Sequence, residues 1–401
     1  SYVVITGDNR AYLGSTVIDA QSTVIVSNRY GLGCLATQPC VVAKDGILKF
    51  GGDGLTNDVP ITADVEGGSP ARQFQINLDD GTFVQNGAYV CGRGTTITLG
   101  DAVFNSAVEA SGLSPTFVVR EPHSLTFNGK VLWGGGYLAF AGSSGKIYFN
   151  HANDNTWNRI YAYASNAKVI CGCTNAIRTA DDKGFYGVMP KRAQDHSGYL
   201  DLNGYDQTIP TVAIGEPKTW AADEFYSITS AVPAVLKISP TDDTELPLRF
   251  CGAAGLHYSG AGTYRLAYQL SQTTGDLVVS SGTLVLQKDA GWCGTNVTVS
   301  AGTLRVTPGE SDVGGRAFGG RKSQTRIVIS GTGTLQLDQG ALTDALSITS
   351  GGVTYRDFGP YGSSEAREAG LVDANHVIPG LTGLGLIRLH EEKRGLAIIF
   401  R

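Results

Sequence analysis

Carboxylates stand side by side at four places in the chain: Asp79-Asp80, Asp181-Asp182, Asp242-Asp243 and Glu391-Glu392. Two carboxylates flanking a bond are what a glycosidase needs, one as acid and the other as base or nucleophile. Neighbouring residues of a strand point to opposite faces, so an adjacent pair is expected in a solvated loop rather than in a shared site. The six histidines, His123, His151, His196, His257, His376 and His390, are scattered, and none stands at a metal-ligand spacing. Nucleophile-elbow, phosphate-loop and His-Glu-x-x-His patterns do not occur. Gly51-Gly52-Asp53-Gly54-Leu55-Thr56-Asn57-Asp58 has the outline of a calcium-binding nonapeptide, but it occurs once and carries Thr56 where that motif needs Asp. No catalytic residue, no cofactor and no metal ion are therefore expected. Trp133, Trp157, Tyr161 and Tyr163 have the side chains to stack on sugars; as residues that cap or flank strands they need no ligand.

Seven cysteines, Cys34, Cys40, Cys91, Cys171, Cys173, Cys251 and Cys293, leave at least one thiol unpaired within the chain. Cys171-Gly172-Cys173 is one residue short of a CxxC motif. Cys34 and Cys40, across a loop containing Pro39, are the expected disulfide, which would suit an oxidising compartment.

The elements that carry these residues are read from composition and periodicity. Glycine makes up 54 of 401 residues while charged residues are only 17%, a balance that calls for many turns. A net charge of −5 without a run of Lys or Arg excludes a phosphate-tracking surface, so nucleic acid is not an expected partner. No stretch reaches the ~18 apolar residues of a membrane helix. The opening Ser1-Tyr2-Val3-Val4-Ile5 has neither a basic nor a long apolar region, so any signal peptide is expected to have been removed.

From about residue 276 the chain repeats itself. Asp276–Gln287, Asn296–Thr307 and Arg326–Asp338 each consist of an alternating strand, a Ser-x-Gly type turn and a second alternating strand. Gly282 and Gly302 hold the same place in the first two copies, and the third copy carries an insert around Gly314 to Gly320. Leu346–Tyr355 reads as a fourth copy. Period-2 alternation is a strand signal: Leu277/Val279, Val297/Val299, Ile327/Ile329 and Leu346/Ile348 are expected inward, followed after the turn by Leu284/Leu286, Leu304/Val306, Leu335/Leu337 and Val353/Tyr355. The structural repeat residues are thus Gly282, Leu284, Leu286, Gly302, Leu304, Val306, Gly333, Leu335 and Leu337. One such unit buries too little to offset its own ordering, so the units must stack, each strand bonding its equivalents above and below.

Weaker forms of the unit run earlier, at 8–26 and 155–171, with alternating strands at Phe74–Leu78, Leu125–Phe127 and Tyr137–Phe140. The expected organisation is a degenerate part over 1–177, an irregular loop-rich segment over 178–250 containing Pro190, Pro210, Pro217 and Pro233, regular repeats over 251–362, and a terminal hairpin or cap over 363–401. The fold class is all-β, a right-handed parallel β-helix whose rungs, at about 20 residues, match the short end of the solenoid periods.

Ser281-Gly282-Thr283-Leu284-x-Leu286, Ala301-Gly302-Thr303-Leu304-x-Val306 and Gly333-Thr334-Leu335-x-Leu337, each preceded by an x-Val-x-Val-Ser type strand, resemble the autotransporter-associated β-strand repeat. Gly198–Ile209 and the Gly380–Gly385 ending are similar to segments of such passenger proteins. The resemblance is firm over about 276–356 and patchy before it. It implies a secreted or surface protein of a Gram-negative bacterium, acting as a surface layer, filament, adhesin stalk or display scaffold. The lipid-facing strands of a membrane barrel do not follow, so export is expected to use another route or a further segment. Self-association through uncapped end strands is the expected partner chemistry. The alternative is recognition or cleavage of surface glycans along an outer groove built by 150–250.

Overall fold

A computed structural model describes residues 1–34, 37–43, 46–51, 55–63, 74–78, 81–92, 94–98, 100–110, 115–133, 138–140, 143–152, 160–162, 167–177, 185–187, 199–214, 226–246, 248–267, 272–287, 292, 294–308 and 324–389. Regular structure there is almost entirely strand, and nearly every strand pairs in parallel. The chain falls into two compact units, Ser1–Thr219 with Tyr226–Thr229, and Trp220–Phe225 with Ser230–Arg401.

In the first unit, short runs rich in Val, Ile, Thr and Phe alternate between buried and half-buried positions, as in Thr23–Val26, Asp101–Phe104 and Ser124–Phe127. That pattern suits a strand with one face in a core. Three parallel sheets result. One has ten strands, from Tyr2–Ile5 through Thr23–Val26 and Ile47–Phe50 to Val212–Ile214; a second has six, from Thr16–Ile18 to Val131–Trp133; the third begins at Leu55–Asn57 and runs through Lys146–Phe149 to Tyr199–Asp201 and the start of Tyr226–Ile238. Between Phe74 and Trp133 the chain visits the ten-stranded, the third and the six-stranded sheet in that order, three times over. Each strand pairs with the one a rung away, and the step is not constant: it is shorter where Thr82 pairs with Asp101 than where Val108 pairs with Val131.

Equivalent side chains therefore stack in columns. Phe104, Phe127 and Phe149 lie ring on ring at 5.7 and 5.2 Å, and Phe117 meets Phe104 and Phe127 edge-on at 6.0 and 5.4 Å; all four are buried. Offset and edge-on rings favour one another by about 0.5–1.5 kcal/mol a pair beyond burial. Two amides head the same column. Asn57 Nδ2 donates to Gln85 Oε1 at 2.8 Å, and Gln85 Nε2 donates to the carbonyls of Val59 and Gly87. Buried and bonded in this way, they incur no unpaired-group penalty.

The second unit carries the regular repeats. Leu277–Val279, Asn296–Val299, Arg326–Ile329 and Ser347–Ser350 follow Leu248–Tyr258 in one parallel sheet. Thr263–Ala267, Thr283–Gln287, Thr303–Val306 and Thr334–Leu337 form the other. Leu284 pairs with Leu304 and Leu304 with Leu335, while Leu286, Val306 and Leu337 make the parallel column; all six are buried. Gly302 and Gly333 sit where the chain crosses the preceding rung so closely that a Cβ would press on the carbonyls of Gly282 and Val299.

Three expectations need correction. The second strand of the fourth copy does not stack: Val353–Tyr355 folds back antiparallel on Ser347–Ser350, and Val353 is 54% exposed. Gly351 and Gly352, both at positive φ, make the tight reversal that a single turn glycine does not. The place beside Leu335 is taken instead by Leu381, which pairs with it and is buried. The ending is also not a simple hairpin. Leu386–Leu389 lies between Leu342–Ala345, parallel to it, and Gly359–Tyr361, antiparallel, and residues 390–401 lie outside the described ones. A helix, Ser364–Glu368, precedes it; Ser363 caps its first turn, accepting from Ala366 N, and donates to the Gly383 carbonyl at 2.6 Å. Within 178–250, finally, Pro233 does not interrupt a strand but sits in Tyr226–Ile238 at a stretch where Ala231, Val232 and Pro233 are exposed, so its missing N–H costs no buried bond. Pro190 and Pro217 lie outside the described residues.

Candidate functional site

The chemistry-bearing residues do not converge. Asp79-Asp80, Asp181-Asp182 and Glu391-Glu392 lie outside the described residues, as do His196, His390, Cys293, Trp157, Tyr163 and the Gly52–Gly54 part of the nonapeptide-like run. Asp242 and Asp243 are in an exposed turn, where Asp243 accepts from Thr263 N at 2.7 Å. His151 and His376 bond locally, to the Ala152 carbonyl and to Asp373; the His376 ring holds the Asp373 carboxyl below its usual range. His257 Nε2 lies 2.8 Å from Ser280 Oγ, a spacing that a nucleophile and its base would share. The neighbour that electrostatics identifies beside His257 is Lys237, which together with burial lowers the imidazole pKa. Ser280 Oγ also donates to the Tyr258 carbonyl at 3.3 Å, as Ser259 and Ser300 do to Ile238 and Val279. Ser280 is one member of a column that ties rung to rung. Among the described residues no three His, Cys, Asp or Glu side chains gather as a metal site.

Asp58 is bound into a ladder. Asn86 Nδ2 donates to Asp58 Oδ1 at 2.7 Å, and Asn105, Asn128 and Asn150 each donate to the Oδ1 of the one before at 2.8 Å. Arg29 closes the near end on Asp58 at 3.1 Å. Each of these asparagines follows the last inward residue of a strand, so the ladder runs beside the phenylalanine column. Sequence reasoning missed it; the signal was Gln85-Asn86, Phe104-Asn105, Phe127-Asn128 and Phe149-Asn150.

The expected Cys34–Cys40 disulfide is not formed. Cys40 is a strand residue pointing inward and fully buried, whereas Cys34 is exposed in the next loop, its thiol donating to the Arg10 carbonyl at 3.3 Å. Burial pushes the Cys40 thiol up to about 12 and holds those of Cys91 and Cys171 well above the usual range. All six described cysteines are free. Trp133 and Tyr161 lie in the strands Val131–Trp133 and Ile160–Ala162.

What remains uncovered is an edge. Tyr2–Ile5 has one neighbouring strand, Thr23–Val26. Val3 stands in register with Val24 and Leu48, both buried core residues, yet is itself 50% exposed. A core column therefore ends in solvent. Tyr2, Val4, Tyr12, Leu13 and Val17 are exposed in the same opening residues. The charges nearby are neutralised: Arg10 and Asp8 pair at 2.6 Å, which holds the Asp8 carboxyl below its usual range, and Arg10 also lies over the Tyr30 ring at 4.7 Å. An uncharged strand with an open hydrogen-bonding edge recruits another strand.

Comparison with protein-family models, with curated proteins and with solved structures finds no match. The geometry of this edge and of the stacked columns is what bears on function.

Proposed function

We propose that the protein is a non-catalytic structural component of a bacterial cell surface, built as a right-handed parallel β-helix and associating through the open edge at Tyr2–Ile5. The single observation that carries the reading is Val3: a member of a core column that stops, half exposed, at an unpaired and uncharged strand. The fixed cyclic order in which the chain visits three parallel sheets supports the helix, since parallel crossovers are right-handed in about 98% of cases. The Gly-Thr-Leu-x-Leu copies at 282–286 and 333–337, whose leucines stack, support the kinship with autotransporter-associated repeats and hence the Gram-negative surface. The free cysteines add nothing for an oxidising compartment, so the location rests on that kinship.

Electron microscopy and light scattering of the purified chain across a concentration series test the association. Mass that rises with concentration supports it. A chain that stays monomeric at the highest concentration refutes it and leaves glycan recognition to be screened.

A further inference from the structure

The open edge has no counterpart at the other sheets' last strands. In the second unit, Leu277, Val297, Ile327 and Ile348 form one inner column and end buried, and Val279, Val299 and Ile329 lead to Ser350. Ser350 is buried too, and its hydroxyl donates to the Pro379 carbonyl at 2.5 Å. The strand beyond, Val353–Tyr355, runs antiparallel and has three residues; Thr354 is tied to Thr349 at 2.9 Å, and exposed Arg356 and Asp357 follow. A parallel strand arriving there would find no core column to continue and two charges beside it. The Leu284–Leu304–Leu335 column ends likewise on buried Leu381.

We infer that a second copy of this chain covers the first edge, Tyr2–Ile5 against Tyr2–Ile5 across a two-fold axis, and that the assembly closes at two rather than growing. The inference rests on the association proposed above and names its partner and its limit. Head-to-tail growth needs a second edge that accepts the first, and the one at Val353–Tyr355 is built against it. A two-fold contact uses one edge twice. The edge suits itself in charge, because Tyr2, Val3, Val4 and Ile5 carry none and the nearby Asp8–Arg10 pair is internally compensated.

The register is constrained as well. Opposed residues of an antiparallel pair point to the same face. Val3 opposite Val3, or Val4 opposite Val4, keeps Val3 and Ile5 of both copies on the core side. Val3 opposite Val4 would turn one copy's core residues outward. The contact thus extends both core columns by one rung and buries the two valines that now face water.

Sedimentation equilibrium of the full chain tests this, alongside Val3→Lys and, as a control on another exposed valine, Val353→Lys. Both positions are half exposed, and circular dichroism checks that each variant is folded. We expect a monomer–dimer equilibrium for the parent and for Val353→Lys. Val3→Lys introduces the change into both copies and weakens the dimer on the order of 100-fold or more. Open-ended polymers would overturn the closure while leaving association through the edge intact. A dimer indifferent to Val3→Lys would overturn the edge assignment, and a monomer throughout would overturn the association itself.

Discussion

Gly282 and Gly351 adopt nearly the same backbone, φ +59° and +56°, in equivalent turns of the repeat, yet alanine should cost very different amounts at the two sites. At either position a Cβ in the left-handed region costs about 1–2 kcal/mol, partly offset by about 0.4–1 kcal/mol from a stiffer unfolded chain. At Gly351 nothing lies within 4 Å of where the Cβ would stand, so the net loss should be about 1 kcal/mol. At Gly282 the Cβ would overlap the Gly260 carbonyl and approach Gly262 O at 2.9 Å. Both are backbone atoms of the preceding rung and cannot rotate away. Relieving that contact means lifting one rung off another, an overpacking cost of about 1–3 kcal/mol. Gly282→Ala should therefore lose about 2–4 kcal/mol. Urea denaturation followed by circular dichroism gives the ranking, and hydrogen exchange over Leu277–Val306 locates the loss, since a stack of rungs need not unfold in one step. Equal losses within about 0.5 kcal/mol, or undiminished protection around Leu284 in Gly282→Ala, would refute close rung contact as the reason for glycine there.

Other consequences follow from burial and bonding. Asn128→Ala removes two ladder bonds at 2.8 Å but leaves their partners in reach of water, so denaturation should show a loss of about 1 kcal/mol; Gln85→Ala strands the Val59 and Gly87 carbonyls and the Asn57 amide in the interior and should cost about 2–4 kcal/mol. Cys34, the exposed thiol, should take up a maleimide in the native protein while Cys40, pushed up to about 12 by burial, stays unlabelled until unfolding; a mass missing two reactive thiols after denaturation would reveal a disulfide instead. His257, its pKa lowered first by burial and then by Lys237, binds its proton less tightly folded than unfolded. Its contribution to stability is present above the unfolded value of about 6.5 and is lost as pH falls through the folded one, so His257→Gln should remove part of the acid sensitivity seen in denaturation curves between pH about 8 and about 5.

How far the sequence reveals this arrangement depends on how constant the step is. Leu284, Leu304 and Leu335 are legible as a column because the same residue types recur in the same frame, and parallel pairing then stacks them. Val353 shows the limit. It has the alternation of its predecessors, but Gly351-Gly352 allows the strand to reverse, and nothing in period 2 distinguishes a parallel neighbour from an antiparallel one. In the first unit the step drifts, lengthening between the Thr82–Asp101 and Val108–Val131 pairings, and the inner residues change from Gln85 to Phe104 to Cys171 along one column. Neither the phenylalanine stack nor the asparagine ladder beside it is therefore visible as a repeat. The Cys34–Cys40 pairing failed for a related reason: spacing along the chain says two residues can meet, but Cys40 is fixed inward by its strand while Cys34 is not in one.

The edges of the sheets can be compared by what stands at the end of each inner column. The third sheet of the first unit begins with Asn57, whose buried amide is bonded to Gln85 and to the Val59 carbonyl. In the second unit a column stops at Ser350, bonded to Pro379, and another at Leu381, beneath the segment anchored by Ser363. In these cases the last core residue is either polar and internally satisfied or apolar and covered, which are the two ways to end a column without exposing apolar surface to water. Val3 is neither. Its side chain has no polar group to satisfy, and no described residue covers it. Leaving one valine half exposed is common and costs little, but here Tyr2, Val4 and Val17 are exposed with it beside an unpaired backbone edge. Backbone groups can be satisfied by water; the apolar side chains cannot. A second strand answers both needs at once, which is why this edge, and not the scattered carboxylates and histidines, is where function should be sought.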